Sequence, residues 1–226
     1  MSKEKIAQLR KHVSPFEKAD IKASVRQMIN TILPFLVLWF LAYQALKLSV
    51  FLAVPLAILA AGFVVRMFII FHDCTHGSFF KNKKANAIVG TITGILTLFP
   101  YEKWKREHAI HHASSGNLDK RGVGDIWVMT IEEYIEASRF TRLKYRLYRN
   151  PLVMFGLGPL LLILVSSRFN RKDARKKERI NTHVINASLI VLYGILIYFI
   201  GWQAFLIIQG TTMFTAGVLG IWLFYV

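Results

Sequence analysis

Five of the seven histidines in this 226-residue chain fall in two tight groups, His72 with His76 and His108 with His111 and His112. Side chains four residues apart share one face of a helix. A helix running through either group therefore presents His72 beside His76, or His108 beside His112. His111 lies about 100° round from His112 on such a helix, still within reach of a second ion. Five imidazoles exceed the four ligands of a tetrahedral zinc site. They suit a two-metal site of higher coordination number, and imidazole is a good ligand for iron, copper or zinc. Iron is favoured where the chemistry is that of oxygen. His12 and His183 have no histidine near them in sequence and read as isolated interfacial residues.

The elements that position these groups are apolar. Hydrophobic residues make up 54% of the chain and charged residues 19%, and the charges cluster between apolar stretches, as in an integral membrane protein. Crossing the hydrocarbon core takes about 20 apolar helical residues. Leu33 to Leu46 with its neighbours and Leu48 to Phe71 read as two spans joined by a turn near Lys47 to Ser49; Val184 to Ile200 and Phe205 to Val226 read as a second pair. Lys3, Lys5, Arg10, Lys11, Lys18, Lys22 and Arg26 precede the first span and only Lys47 follows it. The positive-inside rule then places the N-terminus and the end of the second span, where His72 begins, in the cytoplasm.

Two further apolar stretches are short. Ala85 to Pro100 reads as interfacial or re-entrant. Pro151 to Val165 lies between two basic blocks and carries Gly156, Gly158 and Pro159, which predicts a broken segment returning to its own side. The expected fold is thus all-α and membrane-integral: about four transmembrane helices plus interfacial or re-entrant helices, with a cytoplasmic histidine-box metal site. It forms one domain over residues 1–226. Within it lie a cytoplasmic N-terminal segment 1–28, a cytoplasmic or interfacial histidine-box region 72–150, and a basic cytoplasmic loop 166–183. Residues 4–28 offer a surface helix that Pro15 breaks. No cleavable signal peptide is read, because the first apolar run starts near residue 29 behind mixed charges. The single cysteine, Cys74, excludes an internal disulfide.

The net charge of +16 sits at membrane-flanking positions with no nucleic-acid-binding motif beside it. Anionic lipid head groups account for it, and an acidic soluble partner could dock on the same face.

The string His72-Asp73-Cys74-Thr75-His76-Gly77-Ser78-Phe79-Phe80, with His108-Ala109-Ile110-His111-His112 about 30 residues later, resembles the first and second histidine boxes of the membrane fatty acid desaturases. The tract from Gly116 to Trp127 is similar to the segment after the second box in bacterial acyl-lipid desaturases. The resemblance covers essentially the whole chain. It implies a non-haem centre of two iron ions on the cytoplasmic side, with O2 as co-substrate, that removes two hydrogens from the acyl chains of membrane lipids. It carries His72, His76, His108, His111 and His112 over as iron ligands and implies a ferredoxin or flavodoxin as electron donor. Each ligand should be a neutral imidazole whose other nitrogen is fixed by an acceptor. Asp73 is the first candidate for that role, then Asp125, which equally suits a turn, then Asn117. Phe79, Phe80, Trp104 and Trp127 are candidates to line an apolar tunnel for the acyl chain, or else anchor the interface.

Desaturases of this family carry a third box, H-x-x-H-H, after the last pair of spans, whereas this sequence stops at Phe224-Tyr225-Val226 inside an apolar run. The expectation is a chain truncated before that box, lacking the remaining ligands and not turning over as it stands. Other readings are a related di-iron hydroxylase or ketolase, a non-catalytic membrane remnant, and a metal transporter. The last is disfavoured because the spans lack Asp and Glu and have Arg66 as their notable charge.

Overall fold

A computed structural model describes residues 3–14, 18–122, 124 and 126–225, and no strand occurs among them. The helices are α1 (Lys3–Val13), α2 (Ile21–Leu46), α3 (Val50–His76), α4 (Lys83–Thr97), α5 (Tyr101–Ser114), α6 (Ile131–Glu136), α7 (Arg139–Arg149), α8 (Val153–Arg168), α9 (Lys176–Ile200) and α10 (Trp202–Leu223). Four of them, α2, α3, α9 and α10, are long and apolar enough to cross a membrane. These correspond to the two pairs of spans read from the apolar runs.

The first span starts earlier than its apolar run. The Asp20 carboxylate accepts from the backbone N–H groups of Lys22 and Ala23, and this cap sets the helix going at Ile21. Residues 21–28 therefore belong to α2, and the surface helix expected over 4–28 is reduced to α1. Pro15 lies outside the described residues. The turn at Lys47 to Ser49 forms as expected, with Ser49 Oγ accepting from Phe51 N at the head of α3.

α3 is the hub, packed against α2, α4 and α10. Its stripe of Ala53, Ala57, Ala60 and Ala61 is fully buried, and such small residues let helix backbones approach closely where no hydrophobic force separates protein from lipid. Polar side chains inside the bundle find partners there. Thr212 Oγ1 donates to the Ala57 carbonyl at 3.2 Å; Trp39 Nε1 donates to Gln209 Oε1 at 3.0 Å, and Gln209 Nε2 donates to the Tyr193 hydroxyl at 3.1 Å. Without water at that depth each of these groups has to be satisfied within the protein.

The short apolar stretch Ala85 to Pro100 forms α4, whose 15 residues span about 22 Å, less than a hydrocarbon core. It lies along α3. Contrary to expectation, the second short stretch is not broken at its glycines. Val153–Arg168 winds continuously through two wide π turns, Val153–Leu157 and Leu161–Val165, and the bend of 66° lies upstream, between α7 and α8. Gly158 is not a break: a Cβ there would lie 2.9 Å from Ile221 Cδ1, and one on Gly217 would lie 2.7 Å from Pro159 Cβ. These glycines let α8 and α10 touch.

Candidate metal centre

α3 runs unbroken through the first histidine group and stops only where Gly77 takes a left-handed conformation (φ 72°), donating its N–H to the Cys74 carbonyl. His72 and His76 consequently share a face. The second group rides on α5, seated against α3 by Tyr101, whose hydroxyl donates to the Cys74 carbonyl at 2.8 Å, midway between the two histidines of α3. Burial, with the charges of Cys74 and Glu102, pushes the Tyr101 phenol up, so it remains a donor at neutral pH.

These two helices bring four ring nitrogens together. His108 Nε2 lies 3.0 Å from His72 Nε2, 3.1 Å from His76 Nε2 and 3.0 Å from His112 Nε2, and His72 and His76 are 3.2 Å apart through the same atoms. One imidazole nitrogen holds either a single proton or a single in-plane lone pair, so His108 Nε2 cannot hydrogen-bond three neighbours at once. A shared cation would account for the approach. Two nitrogens each about 2.1 Å from one ion, at about 90° to each other, stand about 3 Å apart. The donor set of four imidazoles thus fits a transition metal. Burial first, then the neighbouring His72, His112, His76 and His111, push His108 down to about 3, which keeps it a neutral donor at physiological pH.

Two of these rings have close neighbours. Asp73 Oδ1 stands 3.1 Å from His72 Nδ1, and Trp104 stacks on His108 with centroids 4.1 Å apart and planes 25° from parallel. Phe68 and Phe71 meet the Trp104 ring edge-to-face. His111 stands outside the four-nitrogen group, its ring 6.0 Å from that of His108 and 5.8 Å from that of His112. Gly124, at φ 78°, comes so near that a Cβ would lie 3.0 Å from His111 Cβ.

The remaining sequence candidates are scattered. Asn117 Oδ1 accepts from Asp119 N at 3.0 Å and caps the turn Leu118–Lys120, while Asp125 lies outside the described residues. Of the four aromatics, Trp104 alone is described in contact with the histidine rings. Phe79 is buried with Ile70, Phe71, Cys74 and Tyr101, and Phe80 packs on Phe79 with its backbone tied to Asn86. Trp127 rests on Tyr145 and Tyr148 of α7.

Sequence reasoning missed what holds α5 from its other side. Lys103, almost fully buried, donates through Nζ to the carbonyls of Ser166 and Phe169 at the end of α8. Arg106 bridges Asp173 and Glu178 at 3.0 Å each, Lys177 pairs with Glu102 at 2.8 Å, and the Glu102 N–H donates to Asn181 Oδ1. In sequence these cations count only as membrane-flanking charges. Lys103→Met should cost about 1–3 kcal/mol, because the Ser166 and Phe169 carbonyls lose their shared donor. The expected result is a lower thermal unfolding midpoint in detergent, with Lys81→Met, on an exposed turn, as the unchanged control.

The comparisons with known proteins point to one family. The family profile described as "Fatty acid desaturase" matches residues 49–226. The fatty acid desaturase of Bacillus subtilis (strain 168) is 53% identical over 219 residues, covering 97% of this chain and 62% of the relative. The chloroplastic omega-6 fatty acid desaturase of Arabidopsis thaliana is 31% identical over 84% of the chain and 42% of its own length. The sn-1 acyl-lipid omega-3 desaturase (ferredoxin) of Nostoc sp. (strain 36) is 26% identical over 84% of the chain and 56% of its own length. The chain therefore spans less than two thirds of the length of these relatives. No solved structure matches it. With two histidine groups converging from α3 and α5 inside the matched region, the chain belongs to the fatty acid desaturase family.

Proposed function

We propose that this chain forms the membrane bundle and two histidine boxes of an acyl-lipid desaturase, in which His72, His76, His108, His111 and His112 hold a non-haem di-iron centre. The observation that carries this reading is the approach of three other imidazole nitrogens to within 3.0–3.1 Å of His108 Nε2. The four converging nitrogens serve one ion, and His111, offset from them, serves the second. When bound, the iron supplies the oxidising power that no side chain has for an unactivated C–H bond. The balance is one double bond formed and O2 reduced to two waters, with two hydrogens from adjacent methylenes, two protons and two further electrons.

The protein's own groups orient and exclude. Asp73 fixes the plane and tautomer of His72 through Nδ1, and Trp104 holds the plane of His108. Asn117 and Asp125 are weaker candidates for such orientation. Phe79, Phe80, Trp104 and Trp127 would keep the acyl path apolar. The substrate is an acyl chain of membrane lipid, delivered laterally from the bilayer that α2, α3, α9 and α10 cross. The electron donor is a ferredoxin or flavodoxin, whose acidity complements the basic face; the Nostoc relative's name includes ferredoxin. The distribution of Lys and Arg supports a multi-pass protein of the cell membrane with its N-terminus and histidine boxes cytoplasmic.

A chimera tests the activity: this chain replaces the matching 219 residues of the Bacillus subtilis relative, and acyl products are analysed by gas chromatography and mass spectrometry. New double bonds support the proposal, hydroxylated or keto products assign the site to a sister reaction, and a folded chimera without product overturns it. Asp73→Ala in the same background should weaken metal binding about 10- to 100-fold, read by chelator competition for Co(II). An unchanged affinity would remove Asp73 from its orienting role.

A further inference from the structure

One surface remains without a role, the outer side of α7. Its sequence, Arg-Phe-Thr-Arg-Leu-Lys-Tyr-Arg-Leu-Tyr-Arg, contains five cations and no acid. At about 100° per residue, Phe140, Leu143 and Leu147 fall within about 60° of one another. Arg139 and Arg146 border this stripe on one side and Lys144 on the other, while Arg142 and Arg149 lie opposite. The stripe is open, with Phe140 64%, Leu143 53% and Leu147 52% exposed. Lys144 lies over the Phe140 ring with its ammonium 4.3 Å from the centroid. The cation therefore sits against the ring face at the edge of the stripe.

The other side of α7 is already occupied. Tyr145 and Tyr148 carry Trp127, and Tyr145 also meets Tyr134 of α6, whose hydroxyl accepts from Arg146 Nε. The Phe140 stripe faces outward. Around the bend of 66° the exposed apolar surface continues: Leu152 is 85% exposed, and Leu157, Leu161 and Leu164 of α8 are 54%, 57% and 63% exposed. An apolar stripe flanked by cations and continuous with the exposed apolar surface of α8 is the pattern of a helix lying in a membrane surface.

We propose that α7 lies in the plane of the bilayer surface. Phe140, Leu143 and Leu147 enter the acyl layer, and Arg139, Lys144 and Arg146 engage the phosphates of anionic lipids. The bend at Asn150 to Leu152 is then the point where the chain turns from the surface into the membrane. The inference goes beyond the desaturase reading and needs neither metal nor turnover.

Site-directed spin labelling of the full chain tests it, using Phe140→Cys, Leu143→Cys, Leu147→Cys and Arg142→Cys in turn. Cys74 is completely buried, and labelling of the unsubstituted chain measures its background. Each labelled protein is reconstituted into vesicles with or without phosphatidylglycerol, and collision rates with O2 and with a water-soluble nickel chelate are compared. The expected result is a several-fold greater O2-over-nickel preference at 140, 143 and 147 than at 142 in anionic vesicles, shrinking in pure phosphatidylcholine. Equal nickel access at all four positions would overturn the proposal. A preference indifferent to phosphatidylglycerol would overturn the head-group assignment. A stripe open to nickel until reduced ferredoxin is added would make it a docking face for an acidic protein instead.

Discussion

His108→Ala should strip the centre of its metal, whereas His183→Ala should leave metal binding unchanged. His108 Nε2 is the only one of the four converging atoms described within 3.1 Å of the three others, so its loss removes the point about which the set is built. Partners that merely orient a ligand are worth about 10- to 100-fold in affinity, and a ligand at the centre of the set should exceed that. Titration with Co(II), followed by its visible absorption, reads the difference directly. His111→Ala should act otherwise, keeping the first ion and lowering the metal-to-chain ratio. An undiminished affinity in folded His108→Ala would sink the ligand assignment. The substitution should also change the response to acid. In the metal-free chain His108 is held down to about 3 from 6.5, so between those values the folded state binds fewer protons than the unfolded chain. Stability is then fully present above pH 6.5 and is lost as the pH falls toward 3. Acid unfolding of His108→Ala, monitored by circular dichroism without metal, should lack this component.

The spacing of the histidines held enough information to pair them, because i and i+4 on a helix share a face whatever surrounds them. The four spans were legible for a similar reason: hydrocarbon thickness fixes the length of an apolar run. The remaining features depended on partners distant in sequence. Lys103 meets carbonyls 63 and 66 residues away, and Arg106 meets Glu178 at a separation of 72, and no local pattern announces such pairs. The start of α2 was missed because its first turns are polar and depend on the Asp20 cap instead of hydrophobicity. Gly158 and Pro159 read as a break from composition alone, yet they face α10, where the space for a side chain is taken by Ile221 and Gly217. The offset of His111 from its two neighbours likewise comes from helical geometry, but its contact with Gly124 required the fold of the loop.

Gly90→Ala should unseat the second histidine helix. A Cβ at this position would lie 2.2 Å from Tyr101 Cε2 and 2.5 Å from Cδ2, distances at which something must move. The Tyr101 ring has little freedom to do so. It is 1% exposed, its edge meets Phe71 with centroids 6.0 Å apart, and its hydroxyl is held by the Cys74 carbonyl. Overpacking of this kind costs about 1–3 kcal/mol. Tyr101→Phe, which keeps the ring and loses only the hydroxyl, should cost about 1 kcal/mol or less. The Cys74 carbonyl would not be orphaned, since it also accepts from Gly77 N at 3.1 Å. Gly62→Ala meets open space and serves as the control. Because Tyr101 opens α5 and contacts α3 between His72 and His76, moving it shifts the two histidine pairs against each other. Gly90→Ala should therefore lower both the unfolding midpoint and Co(II) affinity, while Tyr101→Phe should lower the first slightly and spare the second. If Gly90→Ala leaves both unchanged, α4 does not seat α5, and the register of the four nitrogens must come from Lys103 and Arg106 on its other side.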